Sequence, residues 1–343
     1  MTAMPTPLRT DEQIMINKAS MRRYSFPRPR LTGLPSRVAP EAAIAKDRTV
    51  SGDAEGAETM ARLLEATGDY KILRRLVPRT PQPANAGDRI GLVVDLETTG
   101  LDTAKAEILE IAAIKFSYVD DRITSVIDTL QAFQQPSVPI PPTITALTGI
   151  TDAMVEGQKI DNTAIEQFVS DVHIVIAHNA AYDRKIAERY WPTFIHRHWA
   201  CSAMGIDWKG HGFGGARLSY LLADYALFHD AHRALDDCHA VLEILARDLP
   251  GTGTTGLATL LDFSRRPQYR VWADGAPFAL KDTLKRRGYR WNDGSDGRPR
   301  SWYVDVGDRD TELDYLRREI YQRRDVDILS REISSLDRFS ARV

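Results

Sequence analysis

The sequence predicts an α/β chain: a mixed β-sheet flanked by helices over residues 88–250, followed by a small α+β module at 264–308. Three observations carry this. Strand-like apolar runs come first, three in succession between residues 90 and 133. Strand and helix signals then alternate to residue 249, and strands followed by a βαβα order give a mixed sheet covered by helices. Beyond the Gly-Thr-Gly-Thr-Thr-Gly stretch at 251–256, short strand signals surround one short helix signal.

Residues 1–56 mix Pro, Arg, Gly and Ala without periodicity, as in Phe26-Pro27-Arg28-Pro29-Arg30, and read as a disordered basic segment. Residues 57–87 read as a helical segment and linker. The helix covers 57–77, with Ala61, Leu63, Leu64, Leu73 and Leu76 near helical spacing and Gly68-Asp69 interrupting it. The linker is the Pro-rich stretch 78–87. Strands are predicted at Ile90–Leu96, Ile108–Phe116 and Arg122–Phe133. Thr143–Leu147 and Thr151–Met154 read as helical turns, Asn162–Val169 as a helix and Val172–Ala177 as a buried strand. Helices follow at Asp183–Trp191, stopped by Pro192, at Leu218–Tyr225 and at His232–Leu249. In the module, strands at Tyr269–Ala273 and Ser301–Val306 flank a helix at Asp282–Arg287, and 309–343 reads as a charged helix.

No apolar run approaches the ~18–20 residues that span a bilayer. The two cysteines, Cys201 and Cys238, have no C-x-x-C spacing, which argues against a disulfide framework or zinc ribbon and suits the cytoplasm. The net charge of −2 hides an asymmetry: residues 88–248 carry 13 Lys/Arg against 23 Asp/Glu, whereas 263–303 carry 10 against 4. Acidic centre and basic flank fit a metal-loaded site with a separate segment that holds a polyanion.

The chemistry begins at Asp95-Leu96-Glu97, at the end of the run Gly91-Leu92-Val93-Val94. Side chains two apart on a strand share a face, so both carboxylates project together. A divalent cation would offset the cost of crowding them there. Alternatively, these are two solvated acids at a strand end. A second group, His178-Asn179-Ala180-Ala181-Tyr182-Asp183, follows the strand Val172–Ala177. Asp183 could meet the same metal or simply cap a helix. A third, His232-Arg233-Ala234-Leu235-Asp236-Asp237, opens the last helix, and spacing alone does not choose between the two aspartates. Glu110 sits where a neighbouring strand could also face the site.

With these three groups in order, the sequence resembles the DnaQ-like (DEDDh) 3′–5′ exonuclease family, and is similar to the epsilon proofreading subunit of bacterial DNA polymerase III. The motifs are Asp95-Leu96-Glu97-Thr98-Thr99-Gly100, then His178 to Asp183 with Tyr182 where Phe is commoner, then His232-x-Ala234-x-x-Asp237, which selects Asp237. The stretch Ile144 to Thr151 with Met154-Val155 also matches. The resemblance covers about 88–248. It implies a ribonuclease H-like fold with a five-stranded sheet and two divalent cations, Mg²⁺ or Mn²⁺. It implies Asp95, Glu97, Asp183 and Asp237 as ligands and His232 as general base. It further implies that Thr98, Thr99 and Gly100 contact the terminal nucleotide and that Asn179 contacts the scissile strand. The partner would be a nucleic-acid 3′ end, single-stranded DNA first, with a DNA polymerase as a possible second partner. The alternatives are an exoribonuclease and a non-catalytic nucleic-acid or polymerase-binding module.

The 264–308 module places Trp272, Phe278, Tyr289, Trp291, Trp302 and Tyr303 among basic side chains. Such interleaving suits single strands, with Arg286, Arg287, Arg290 and Trp291 as candidate contacts. The competing expectation is an aromatic core under a solvated basic face.

Overall fold

The computed structural model describes residues 54–295 and 297–343. Residues 54–73 and 74–343 belong to two different compact units. In the first, helix α1 (Ala54–Ala66) begins inside the stretch read as disordered and stops well short of residue 77. The reading of residues 1–53 lies outside the described residues. Gly68, at φ 78°, takes the left-handed conformation that ends helices. Arg74–Arg75 is not helical either: it forms β1, parallel to β7 (Leu227–Phe228). The leucine spacing that suggested a longer helix reflects Leu76 packing on the core from an extended chain.

The second unit is built on five strands, β2 (Arg89–Thr98), β3 (Ile108–Val119), β4 (Arg122–Phe133), β5 (Ile174–Ala177) and β6 (His198–Cys201), in the order β4-β3-β2-β5-β6. The first three form an antiparallel meander, while β5 and β6 run parallel to β2. This is the mixed, helix-flanked sheet the sequence predicts. Central β2 is buried on both faces, which explains its near-continuous apolar run. Its alternation sorts the core: Val93 joins the cluster under the last helix, and Leu92, Val94 and Leu96 join the opposite one. Asp95 and Glu97 therefore continue the Val93 row.

The helices are α2 (Pro142–Thr148), α3 (Asp152–Val155), α4 (Asn162–Val169), α5 (Ala180–Tyr190), α6 (Leu218–Asp224), α7 (Ala234–Ala246) and α8 (Gly256–Arg265). The helix α8 was not anticipated. Thr255 caps it through Ala258 N, and a Cβ on Gly256 would lie 2.7 Å from the Ile244 carbonyl oxygen, so glycine lets α8 close on α7.

The module is an antiparallel sheet of β8 (Gln268–Ala273), β9 (Arg290–Trp291), β10 (Trp302–Val306) and β11 (Ser330–Ile333), in the order β11-β8-β10-β9. It carries α9 (Lys281–Arg286) and α10 (Arg309–Tyr315), which passes into one π-helical turn at Leu316–Ile320. The predicted charged helix over 309–343 thus ends at Ile320. Gln322 has φ 53°, Ile328 is needed in the module core, and β11 completes the open edge of β8. Residues 334–342 then return to the first sheet. The buried guanidinium of Arg184 on α5 donates to the carbonyls of Ser335 (3.2 Å), Leu336 (2.5 Å) and Arg338 (2.7 Å). Arg338 in turn donates to Phe263 O and Arg266 O at the end of α8. Among the described residues no helix is long and apolar enough to cross a membrane.

Candidate active site

The end of β2 meets the start of α7 over one sheet face. Glu97 lies directly opposite Glu110 of β3, and the register shifts between Glu97 and Thr98, which pairs with Ile108. Glu97 is buried, and Asp95 half-buried. From α7 comes Asp237, in the first helical turn, where a carboxylate is favoured by the helix dipole. Ligand atoms of Glu97, His232 and Asp237 all lie within 4.8 Å of one another. Asp183 is not the cap of α5; it sits one turn in, buried, with Oδ1 accepting from Leu96 N at 3.2 Å. This ties the second motif to the strand of the first. The thiol of Cys238, beneath them, has its pKa raised well above normal by burial first and then by the charges of Asp95, Asp237, Asp183 and Glu110. The chain thus brings together all five expected residues, and Glu110 with them.

Two features hold His232 in place. Its backbone adopts φ 66°, a conformation that costs a non-glycine residue free energy and is found at functional sites. Its N–H donates to Asp237 Oδ2 at 2.8 Å. The other oxygen of Asp237 meets His229 Nε2 at 2.7 Å. His229 is a contact that sequence reasoning missed. It lies outside the third motif, after a two-residue strand, and nothing in its spacing marks it. Asp236 is half-buried and has its pKa raised by burial first. Arg233 Nε approaches the fully buried Glu110 at 3.8 Å, and Glu110 also accepts from Gln131 at 2.5 Å.

His178 serves the scaffold. Its Nε2 donates to Ala216 O at 2.7 Å, Nδ1 meets Ser202 Oγ at 2.8 Å, and burial lowers its pKa. Tyr182 bonds Thr98 Oγ1 and Gly100 O, and burial first, then the neighbouring carboxylates, push its pKa up to about 12. The turn Thr98-Thr99-Gly100 is therefore pinned from below. Thr99 Oγ1 accepts from Glu107 N at 3.0 Å. A Cβ placed on Gly100 would meet nothing within 4 Å. Asn179 precedes α5 without capping it through its side chain.

In the module the expected contacts divide. Arg287 is clasped by Glu312, with Nη2–Oε2 at 2.8 Å, and lies 3.6 Å from the ring centre of Tyr315. Arg290 reaches Asp305 at 3.3 Å and stacks on Tyr303. Both serve the module's own structure. Arg286 is exposed and Trp291 is 49% exposed. Trp272 and Tyr289 are buried in the core, as the competing expectation has it for part of the aromatic set.

Residues 92–245 match the model of the RNase T exonuclease family. The DNA polymerase III PolC-type protein of Thermotoga maritima is 27% identical over 194 residues, covering 52% of this chain and 13% of that protein. Its Listeria innocua counterpart is 39% identical over 93 residues, covering 26% and 6%. The chain thus spans a small fraction of these relatives. Among solved structures, exonuclease X in complex with 5′-overhanging duplex DNA is 25% identical, covers 50% of this chain and 98% of its own, with a TM-score of 0.37. E. coli exonuclease I with a dA16 oligonucleotide is 15% identical, covers 73% and 64%, with a TM-score of 0.43. Sheet, carboxylate cluster and matched span together define an exonuclease-type domain. Residues 92–245, a little under half of the chain, thus carry a domain similar to those of the exonuclease family.

Proposed function

We propose that this protein is a cytoplasmic, metal-dependent 3′–5′ exonuclease of the DEDDh type that releases nucleoside monophosphates from single-stranded DNA ends, in proofreading, repair or end trimming. The observation that carries the reading is the convergence of Asp95, Glu97, Asp183, His232 and Asp237 from three separate stretches of chain onto one end of β2. DNA is favoured over RNA because the named relatives are DNA polymerases. A DNA polymerase is the protein partner this reading implies.

The donor set fits hard cations: it is rich in carboxylate oxygen and offers no accessible thiolate, Cys238 being buried. Asp95, Glu97, Asp183 and Asp237 would hold two Mg²⁺ or Mn²⁺ ions. When bound, such ions neutralise phosphate charge and acidify water. The imidazole of His232 takes the proton of the attacking water near neutral pH. Asp237 fixes the backbone that carries that imidazole by accepting from the His232 amide N–H, and His229 braces Asp237 in turn. The Thr98–Gly100 backbone presents an open edge to the terminal nucleotide, and Asn179 lies at the mouth of α5 for the scissile strand.

The test uses 5′-labelled single-stranded DNA and matched RNA with Mg²⁺, Mn²⁺ or EDTA. A ladder growing from the 3′ end of DNA is expected, abolished by EDTA and by Asp95→Asn. His232→Gln should lower kcat by about 10²–10⁴-fold. Degradation that survives Asp95→Asn, or none of either polymer, overturns the reading.

A further inference from the structure

The basic charge of the module is not spread evenly. Arg270 and Arg290 share Asp305, and Arg287 is taken by Glu312. Three further cations stand on α9. Among the described residues Lys281, Lys285 and Arg286 have no carboxylate within ion-pair distance. Lys285 and Arg286 are exposed and Lys281 half-exposed.

Aromatic rings stand beside two of them. Phe278 is 79% exposed, with Lys281 Nζ 4.3 Å from its ring centre. Trp291 faces Trp302 across the β9–β10 pair, ring centres 5.5 Å apart and inclined at 62°. Lys285 Nζ lies 5.8 Å from the centre of the Trp302 ring. Half-exposed Trp291 braced edge-on by Trp302 is a fixed flat face, whereas an exposed ring such as Phe278 buries nothing of the fold. Flat rings alternating with mobile ammonium groups match a chain of bases separated by phosphates.

From this arrangement we infer that Phe278, Lys281, Lys285 and Trp291, with Trp302 behind, form a stacking surface for single-stranded DNA, separate from the acidic site. The inference deepens the exonuclease reading, since it gives that site a holding surface for the strand, but binding to it requires no chemistry.

Binding of fluorescein-labelled dT20 to the full chain is measured by anisotropy in EDTA over a range of salt. Trp291→Ala should weaken binding roughly 5- to 100-fold. Phe278→Ala should act in the same direction without lowering the melting temperature. Lys281→Ala/Lys285→Ala should lower the salt slope by about 1.4. A 20-base-pair duplex, whose bases are already stacked, should be insensitive to Trp291→Ala. Variants that melt like the wild type and bind dT20 equally well overturn the inference, as does equal loss on duplex and single strand. Hydrolysis of the p-nitrophenyl ester of thymidine 5′-monophosphate by the wild type, with Mn²⁺, reports separately on the acidic site. Failure of that arm sinks the exonuclease reading and leaves the binding result standing.

Discussion

At Gly100 the backbone faces open space just past the acid pair. Gly100→Ala adds one methyl group at a place where a Cβ meets nothing within 4 Å. It should leave the melting temperature unchanged and lower kcat/KM on oligonucleotides by about 10-fold, the scale of a small misplacement at a reacting centre. His178 gives a different test. Burial lowers its pKa, so the unfolded chain takes up the proton first as pH falls. Its share of stability is complete above ~6.5 and declines below that value, toward the lower folded pKa. Urea melts between pH 8 and 5.5 should show that loss in the wild type and a shallower one in His178→Gln. The acids themselves were legible because period two on a strand places Asp95 and Glu97 on one face. His229 was not: its role depends on how the loop before α7 folds back onto Asp237.

Elements with long periodic patterns were legible, and some of the short ones were not. The strands β2 to β4 and helix α7 stand close to where the pattern puts them. His198–Cys201, the fifth strand, has four residues, too few to show an alternation. The predicted C-terminal helix failed because charge and helix propensity were outweighed by an unfilled sheet edge at β8. The helix α5 illustrates dependence on remote chain. Arg184, next to Asp183, is completely buried with its guanidinium satisfied by Glu188 (2.6 Å) and by three carbonyls of the returning segment. Arg184→Met leaves Glu188 with Arg342 and takes the guanidinium from Arg338 O, while Ser335 O keeps Trp199 N and Leu336 O keeps Arg342. It should cost about 3–5 kcal/mol, the range for breaking a buried ion pair, read as a fall in the urea midpoint.

At the scale of the whole chain, charge is segregated: an acidic sheet edge in 88–248 and a basic strip in 263–303. That division was visible in the sequence. Which cations stay available was not, because Asp305 and Glu312 neutralise their arginines only once β8, β10 and α10 are assembled. The acidic edge sets up its own test. Clustered carboxylates repel one another in the folded state, so cations that bind them should stabilise it, by about 2.7 kcal/mol at a hundred times the dissociation constant. Mn²⁺ should raise the melting temperature of the wild type. Asp95→Asn/Asp237→Asn, with part of the repulsion removed, should melt higher without metal and gain little from it.

Arg184 and its acceptors also bear on how the chain emerges from the ribosome. The acceptor carbonyls at Ser335, Leu336 and Arg338 are made 151 to 154 residues after the arginine they satisfy. Domains fold as synthesis proceeds, amino-terminal parts first. Until residue 338 is outside the exit tunnel, the helix bearing Asp183 has a buried cation with its main acceptors missing. A nascent chain is therefore expected to carry its acids early and the proposed nuclease activity late. Ribosome-bound chains stalled with residue 333 just exposed should leave labelled single-stranded DNA intact, and chains stalled beyond full exposure of residue 343 should degrade it.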